Sequence, residues 1–593
     1  MCLRYKGIPP EFYQGMAFSS SSSIATGVKG SDVYTASGVK DPRVAFSALL
    51  VRGFHENLIR DGLTKILESG DKQFIEDAFV MAFQTRDIRG GKGERDLFQK
   101  MVAVLLELEP AIMLSLLDLV PHYGCWDDMF KMPKGATIRV VDLTVAQLRD
   151  DMVNLNNGKP YSLCAKWAPR EDRQPEFAKI LALHLSPQEK SLSRRLKAYR
   201  KHVATLNRGL QTTEIKMCAK KFADIEPGAV PGRCLQKHMK AFLNETLHKI
   251  PKGSVYRPSY EHDFRHPHDD DRMACREHFQ DHFAKAAKGE AKLNGSKTVF
   301  PHELVKKTAK FSRQPYDDEE SSGVPISEDV KNGILGVWRQ MVVDAKAAGG
   351  LGRSLAMCDF SGSMQSSASN GDTPYWVSMA MGLLIAEVTT EEFKDSFLTF
   401  DSTPTLHQMK AEDDLFGRIR SISTLGQGTS TDFQKAMDLV LGRLKLTRCR
   451  PGQEPENLIV LTDMNWDQAC GSNQQSFFTG NSYRHVVKTN PWQTHVEMIR
   501  EAFKRAGEDM WGEGQGLKMP RLVIWNIAST SVDFHAQADT EGVVMLSGWS
   551  PSLFKSLQTG EEIKASTPLE MLRVQLDDER YDPVREGVRK FFA

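Results

Sequence analysis

Three loops in the C-terminal part of the chain carry hard oxygen donors. Asp359, Ser361 and Ser363 form a D-x-S-x-S pattern directly after the apolar run 354–358, and Asp463 follows the run 457–462. The remaining loop lies between these two in the chain, just before an apolar helix. Its sequence is Gly426-Gln427-Gly428-Thr429-Ser430-Thr431-Asp432. Asp359, Asp463, Ser361, Ser363 and one hydroxyl of the string 426–432 supply two carboxylates and three hydroxyls. Such a set suits Mg²⁺ or Mn²⁺, because these cations prefer oxygen ligands and tolerate partial hydration. The pattern therefore predicts a divalent-metal site.

The same residues allow two other interpretations. D-x-S-x-S is a common loop composition in which the aspartate only caps a helix. A nucleophilic role for Ser361 or Ser363 is disfavoured, because neither lies in a G-x-S-x-G motif and no histidine is placed as its base. No general base stands out near this loop, so the sequence indicates a non-catalytic protein.

A second group of residues is basic. Between residues 186 and 252, fifteen Lys or Arg residues stand against five Asp or Glu residues, in a chain whose formal net charge is only +1. Arg194, Lys197 and Lys201 recur three to four residues apart, so they share one face of a helix. Tyr199 lies nearby as a stacking surface. We predict RNA phosphate contacts from Arg194, Arg195, Lys197, Arg200 and Lys201. The alternative is a solvated helix face balanced by acidic residues elsewhere.

A glycine-rich string, Arg89-Gly90-Gly91-Lys92-Gly93-Glu94-Arg95, suggests phosphate binding through backbone N–H groups. It is not a nucleotide-binding P-loop, because no Ser or Thr follows the lysine and no strand precedes the glycines. A turn between two helices is the favoured interpretation. RNA backbone contact by Arg89 and Lys92 is the alternative that we carry forward.

The elements that must position these residues fall into two halves. From residue 44 to about residue 252, apolar residues recur at helical spacing, and glycine and proline breaks divide the segment into successive helices. This texture is typical of stacked antiparallel helix pairs. Trp126 and Trp167 lie beside helix-ending residues, so we expect both to be buried between helices.

The second half alternates short apolar strands with helices. The predicted strands are Ser354–Cys358, Ser396–Phe400, Leu458–Leu461, Leu522–Ile527 and Val543–Leu546. Strands that alternate with helices form a doubly wound, mostly parallel α/β sheet, which binds ligands outside the carboxyl ends of its strands.

A length of 593 residues exceeds what one core supports, so the chain is multidomain. We expect an extended or disordered N-terminal arm over 1–40 and an α-helical repeat domain over 41–350, with a polar insertion at about 253–325. An α/β domain over 351–593 completes the predicted order.

Composition excludes several classes. Mean hydropathy is −0.39 and no apolar run approaches the roughly 20 residues that cross a bilayer, so no membrane anchor is expected. The N-terminus lacks a secretion signal, and nine cysteines without a C-x-x-C pair do not indicate a disulfide framework or a zinc ribbon. We expect an intracellular, cytoplasmic location.

The metal-site residues resemble the metal-ion-dependent adhesion site of the von Willebrand factor A domain. That resemblance implies metal positions at Asp359, Ser361, Ser363, Thr429 and Asp463. It also implies that an acidic group from a protein partner completes the metal shell.

A helical array followed by such a domain resembles the TROVE module of Ro-type ribonucleoproteins, in which a ring of HEAT-like helical repeats binds RNA. Several local strings are also similar to a two-domain family of unknown function. These strings are Arg86–Arg95, Tyr123–Asp128, Ala165–Pro169, Pro301–Leu304 and Thr462–Met464.

Together, these features predict a non-catalytic RNA-binding protein, a ribonucleoprotein component. Its helical domain would contact a small non-coding or structured RNA, and its A-like domain would recruit an acidic protein partner through Mg²⁺ or Mn²⁺. The alternative is a metal-dependent protein-interaction scaffold without RNA. The sequence does not predict the oligomeric state.

Overall fold

The computed structural model describes residues 39–246, 264–295, 298–312, 326–347, 350–365, 372–400, 403–423, 433–464, 491–529, 536–557 and 565–592, with 24–26, 32–34, 425 and 534. The chain forms two compact units. The sheet unit comprises Met1–Ser69, Phe300–Ser321 and Val342–Asp578. The helical unit comprises Gly70–Val299, Ser322–Met341 and Glu579–Ala593.

The helical unit contains most of the helices. In chain order after α1 and α2 of the sheet unit (Pro42–Leu49 and Glu56–Leu67), they are α3 Lys72–Arg86, α4 Arg95–Leu108, α5 Pro110–Ser115, α6 Val120–Tyr123, α7 Trp126–Met129, α8 Thr137–Asn156, α9 Cys164–Trp167, α10 Pro175–Leu185, α11 Leu192–Leu210, α12 Thr213–Cys218, α13 Gly232–Phe242 and α14 Asp270–Lys288. α15, Pro301–Ser312, belongs to the sheet unit, and α16, Glu328–Ala347, contributes residues to both units.

The sheet unit contains eight described strands and the remaining helices except the last. The strands are β1 Ile24–Thr26, β2 Asp32–Tyr34, β3 Ser354–Asp359, β4 Ser396–Phe400, β5 Leu406–Gln408, β6 Asn457–Thr462, β7 Arg521–Asn526 and β8 Val543–Ser547. The helices are α17 Pro374–Val388, α18 Leu415–Ile422, α19 Phe433–Leu446, α20 Pro491–Trp511 and α21 Pro568–Leu576, while α22, Asp582–Arg589, belongs to the helical unit.

One six-stranded sheet has the order β5-β4-β3-β6-β7-β8. Only β5 is antiparallel to its neighbour, β4. Every residue of β3, β4, β6 and β8 is buried, as expected for parallel strands covered on both faces. The longest apolar run of the sequence lies in α17, which packs between β3 and α15 as a buried core helix.

The strand order reverses at β3. From β3 the chain goes to β4 and β5 on one side, and it then returns to β6 on the other side. In a doubly wound sheet this reversal opens a crevice outside the carboxyl ends of the two central strands. The topology therefore directs any ligand to the ends of β3 and β6.

The predicted helical half and α/β sheet are confirmed, and the five predicted strands match observed strands to within a residue at each end. Two features differ from expectation. β5 and the β1–β2 hairpin were not predicted, and both units are discontinuous along the chain because α1, α2 and α15 belong to the sheet unit. The contact-based units thus differ from continuous domains of 41–350 and 351–593. Among the described helices, none is both long and apolar enough to span a bilayer.

Candidate functional site

Two aspartates lie at the carboxyl ends of the two central strands of the sheet. Asp359 is the last residue of β3, and the parallel pairing of Cys358 with Leu461 places it beside the end of β6. Thr462 Oγ1 donates a hydrogen bond to Asp359 Oδ2 at 3.1 Å, and Asp463 follows Thr462 directly. Both aspartates are fully buried.

The loop after β3 turns back on its own aspartate. The Ser361 N–H donates to Asp359 Oδ1 at 2.9 Å, and the hydroxyl oxygens of Ser361 and Ser363 lie 3.1 Å apart. On the β6 side, Met464 adopts φ 66°, and its N–H donates to Thr462 Oγ1 at 3.2 Å. These short-range bonds fix the direction in which each loop leaves its strand.

This donor set suits a hard divalent cation. Two buried carboxylates and two serine hydroxyls present only oxygen, and a divalent ion would balance both negative charges. Thr429, the remaining predicted ligand, lies outside the described residues. Within the described part of the chain, no group of three or more His, Cys, Asp or Glu side chains could hold a metal ion, so any site here depends on hydroxyl ligands as well.

A cluster of charged and aromatic side chains also lies in the sheet unit, just before α17. Asp372 accepts from Lys306 Nζ at 2.6 Å and from an Arg52 guanidinium nitrogen at 3.4 Å. The Arg52 guanidinium carbon lies 4.2 Å from the centroid of the Trp549 ring, a cation–π contact. No sequence motif marks this cluster, because its members come from four distant segments of the chain.

His302 completes this cluster and is buried against two aromatic rings. It stacks on Phe300 and meets Trp549 edge-on, with ring centroids 5.5 Å and 4.9 Å apart. Burial lowers the pKa of His302 below its ordinary value of 6.5, although the neighbouring Asp372 carboxylate opposes that effect. The nearby His302 ring, whose Nε2 lies 3.9 Å from Asp372 Oδ2, and the hydrogen bond from Lys306 hold the pKa of Asp372 well below its usual range. The string Pro301–Leu304 therefore has a structural role in this cluster, because His302 packs inside it.

The predicted RNA-contact residues of α11 divide into two groups. Arg194, Lys197 and Lys201 are exposed and lie on one face of the helix, opposite the buried Tyr199 and Val203. Among the described residues these three side chains make no ion pair. We call them the basic stripe.

Arg195 and Arg200 have local structural partners. Arg195 donates to the backbone oxygens of Glu189 and Pro187, at 2.8 and 3.2 Å, and Arg200 pairs with Glu171 at 2.7 Å. The Tyr199 hydroxyl donates to Pro169 O at 2.8 Å inside the unit, so this ring does not form the predicted stacking surface.

The glycine-rich string is a turn between α3 and α4, as favoured from sequence. Arg89 is exposed and donates to His122 O at 2.7 Å. Lys92 is only 1% exposed, and burial lowers its pKa to about 7 even though Glu94 opposes this effect. The predicted RNA contact by Lys92 therefore does not fit its position, because a buried amine cannot reach a phosphate at the surface.

A buried ion-pair network joins Arg86–Arg95 to Tyr123–Asp128. These are two of the strings that are similar to the family of unknown function, and we call them the family-like strings. The fully buried Asp128 carboxylate lies 2.8 Å from Arg86 Nε and 2.6 Å from Arg95 Nε. Arg95 also pairs with Asp127 at 2.7 Å. Nearby, Asp87 accepts from the Arg580 guanidinium and from the Tyr581 hydroxyl. These charges hold the loop after α3 in one arrangement.

The two tryptophans do not follow the burial predicted for them. Trp126 is half-buried, and Trp167 is 38% exposed, with Lys166 Nζ lying 5.6 Å from its ring centroid. For Trp167, the physical reason is that α9 is only one turn long and buries Cys164 and Ala165 instead.

Two family models match parts of the chain, and both are described only as domains of unknown function. Residues 353–588 match DUF7788, and this range contains the described metal-site candidates. Residues 136–252 match DUF2828, and this range contains the basic stripe. The expected similarity to proteins of unknown function is confirmed to this extent.

Two further comparisons cover most of the chain and assign no function. The uncharacterized protein L728 of Acanthamoeba polyphaga mimivirus is 26% identical over 548 residues, covering 88% of this chain and 83% of that protein. Among solved structures, the Ro (RSR) protein of Deinococcus radiodurans aligns over 88% of this chain and 91% of its own, with a TM-score of 0.29 and 11% identity. A TM-score of this size does not establish a common fold, so this alignment assigns neither fold nor function.

The buried network predicts a large loss of stability for Asp128→Ala. Removing this carboxylate leaves buried arginine charge uncompensated, which costs roughly 3–5 kcal/mol. Asp96→Ala is the matched control, because Asp96 is exposed and its ion pair within the described residues is with Lys100 on α4, so its loss should cost about 1 kcal/mol or less. Chemical denaturation of both variants measures the difference, and equal losses would contradict a structural role for the network.

The position of His302 predicts a pH dependence of stability. Its pKa is lowered in the folded chain, so the unfolded chain takes up a proton more readily as the pH falls through 6.5. The free energy of unfolding should therefore decrease on mild acidification, and less so in His302→Gln. Thermal denaturation of both proteins across this range tests the expectation, since the other histidines are common to both. Parallel pH profiles would contradict it.

Proposed function

We propose that this protein is a non-catalytic RNA-binding protein whose helical unit contacts RNA phosphates and whose sheet unit recruits a protein partner through a divalent metal. The observation that carries the RNA part is the basic stripe. Its three cations face solvent, and none of them makes an ion pair within the described residues. Exposed side chains of this kind can neutralise phosphates at little desolvation cost.

The dimensions of the stripe support a phosphate-binding role. Arg194 and Lys201 are seven residues apart, so two helical turns and about 10 Å separate them along the axis. Arg208, also exposed, continues the same face by two further turns. A linear array of cations follows a nucleic-acid backbone without reading its bases, so we expect weak sequence preference.

For the sheet unit we propose a von Willebrand factor A-like domain. The support is the coincidence of the strand-order reversal with Asp359 and Asp463, since the crevice in such sheets is the usual ligand site. Asp359, Ser361, Ser363 and Asp463 would hold Mg²⁺ or Mn²⁺, with Thr429 as the further predicted ligand. The metal would supply a coordination position for an acidic group of a partner. No histidine among the described residues hydrogen-bonds to Ser361 or Ser363, which favours binding over nucleophilic chemistry.

The second candidate function is a metal-dependent scaffold that binds no RNA. The buried aspartate pair favours it as much as the first, and the basic stripe would then face an acidic protein surface. A nuclease-sensitive absorbance ratio of the purified protein separates the two candidates, because only the RNA-binding protein should carry nucleic acid.

We expect the triple variant Arg194→Gln/Lys197→Gln/Lys201→Gln to bind RNA more weakly than the parent without unfolding. Each phosphate contact contributes about −0.7 to the log–log salt slope for single strands, so the slope should become shallower by up to about two. Binding titrations at several salt concentrations, with single-stranded and structured RNA, measure both quantities.

The matched control is Lys131→Gln/Lys179→Gln/Lys285→Gln. These three lysines lie outside α11 in the same unit, are exposed or partly exposed, and pair with Asp127, Glu176 and Asp281, three or four residues away in sequence. The control variant therefore has the same change in net charge. An equal loss of affinity in both triple variants would reduce the effect to general electrostatics. An unchanged affinity and slope in the stripe variant would show that RNA does not bind there.

Divalent ions should stabilise the parent protein but not Asp359→Ala or Asp463→Ala. A ligand that binds only the folded state at about 100 times its Kd adds roughly 2.7 kcal/mol. Thermal denaturation with and without Mg²⁺ or Mn²⁺ measures this effect. The control is Asp539→Ala, because this exposed aspartate of the sheet unit pairs with the exposed Lys40 in the described part of the chain and should leave the metal response intact. A parent midpoint that ignores both ions would contradict the metal site.

A further inference from the structure

A cavity of about 290 Å³ lies in the sheet unit, toward the ends of the strands that are opposite the two aspartates. It is lined by the start of β3 and by β4 and β5 on one side, and by the C-terminal half of α19 on the other. Its apolar wall consists mainly of leucines, among them Leu355, Leu398, Leu406, Leu439 and Leu444. The proposed functions do not involve this region.

The mouth of the cavity is polar and carries more positive than negative charge. Arg443 and Arg448 line it together with one acidic residue, Glu392. Neither arginine makes an ion pair within the described residues. The Arg448 guanidinium lies 5.1 Å from the centroid of the Trp511 ring, and the indole N–H of Trp511 donates to Cys449 O at 2.9 Å. These contacts hold the backbone and the guanidinium at the rim.

Apolar walls beneath two cationic groups define the chemistry of a ligand. Pockets of this kind bind molecules whose apolar part fills the interior and whose few polar groups fix the orientation. Guanidinium groups recognise carboxylates through paired, charge-assisted hydrogen bonds. We propose that this cavity binds a small amphipathic carboxylate, with its hydrocarbon chain against the leucines and its carboxylate at Arg443 and Arg448.

The volume sets the length of that chain. A water molecule occupies about 30 Å³ in the liquid and a methylene group is of similar size, so the cavity accommodates about ten such groups. A medium-chain fatty carboxylate therefore matches this space. Each buried methylene contributes about 0.8 kcal/mol in general, so the chain provides most of the affinity.

The test uses octanoate and the full-length protein in isothermal titration calorimetry. We expect saturable binding with about one site per chain, and about tenfold weaker binding of octanol, which has the same chain length but lacks the charge. No saturable octanoate binding up to about millimolar concentration would overturn the proposal. Equal affinities for octanoate and octanol would overturn the assignment of the arginines.

Variants locate the site. Arg443→Gln/Arg448→Gln should weaken octanoate binding about tenfold and leave octanol binding unchanged. Leu439→Phe should weaken both, because it fills the interior. Lys445→Gln is the matched control: this exposed lysine lies on α19 between the two arginines but does not line the cavity. Thermal denaturation confirms that each variant is folded, and parent-like binding by both site variants would place any octanoate elsewhere.

Discussion

The parallel pairing of β3 with β6 is the constraint on which the candidate metal site depends. The register runs from Ser354 opposite Asn457 to Cys358 opposite Leu461, so the two strands end level with one another. A shift by one residue would turn every side chain of one strand to the other face of the sheet. Asp359 and Asp463 would then no longer lie at level strand ends beside the crevice. Burial on both faces fixes this register, since every residue of each strand is buried.

In the helical unit, Arg86, Asp87 and Asp128 of the family-like strings are buried. Asp128 and both of its arginine partners are supplied by two short strings, and Asp87 connects a third segment through Arg580 and Tyr581. A buried ion pair adds little net stability over an apolar pair, but loss of one partner is costly. Such a network therefore maintains one arrangement of the loops. Charged residues packed closely in sequence can thus serve the interior as well as a binding surface.

The sequence allowed the α/β half to be predicted well because buried parallel strands are short, continuous apolar runs between polar loops. The same logic placed Asp359 and Asp463 at strand ends. β5 is only three residues long, and all three are at least partly exposed, so it carries no such signal. Burial of Lys92 and exposure of Trp167 depend on tertiary contacts that residue type alone does not encode. The cluster around Asp372 could not be predicted, since Arg52, His302 and Trp549 meet it only through folding.

The antiparallel strand β5 also bears on the behaviour of the molecule in concentrated solution. A sheet edge with unpaired backbone groups can recruit strands from neighbouring molecules and start aggregation. Here one edge is closed by a strand of three residues, too short to template a long extended segment. At the other edge, α1 and α21 pack against β8, and the Ser547 hydroxyl donates to the backbone of Ser47. The sheet is thereby protected from edge-to-edge self-association, which favours colloidal stability in a crowded medium.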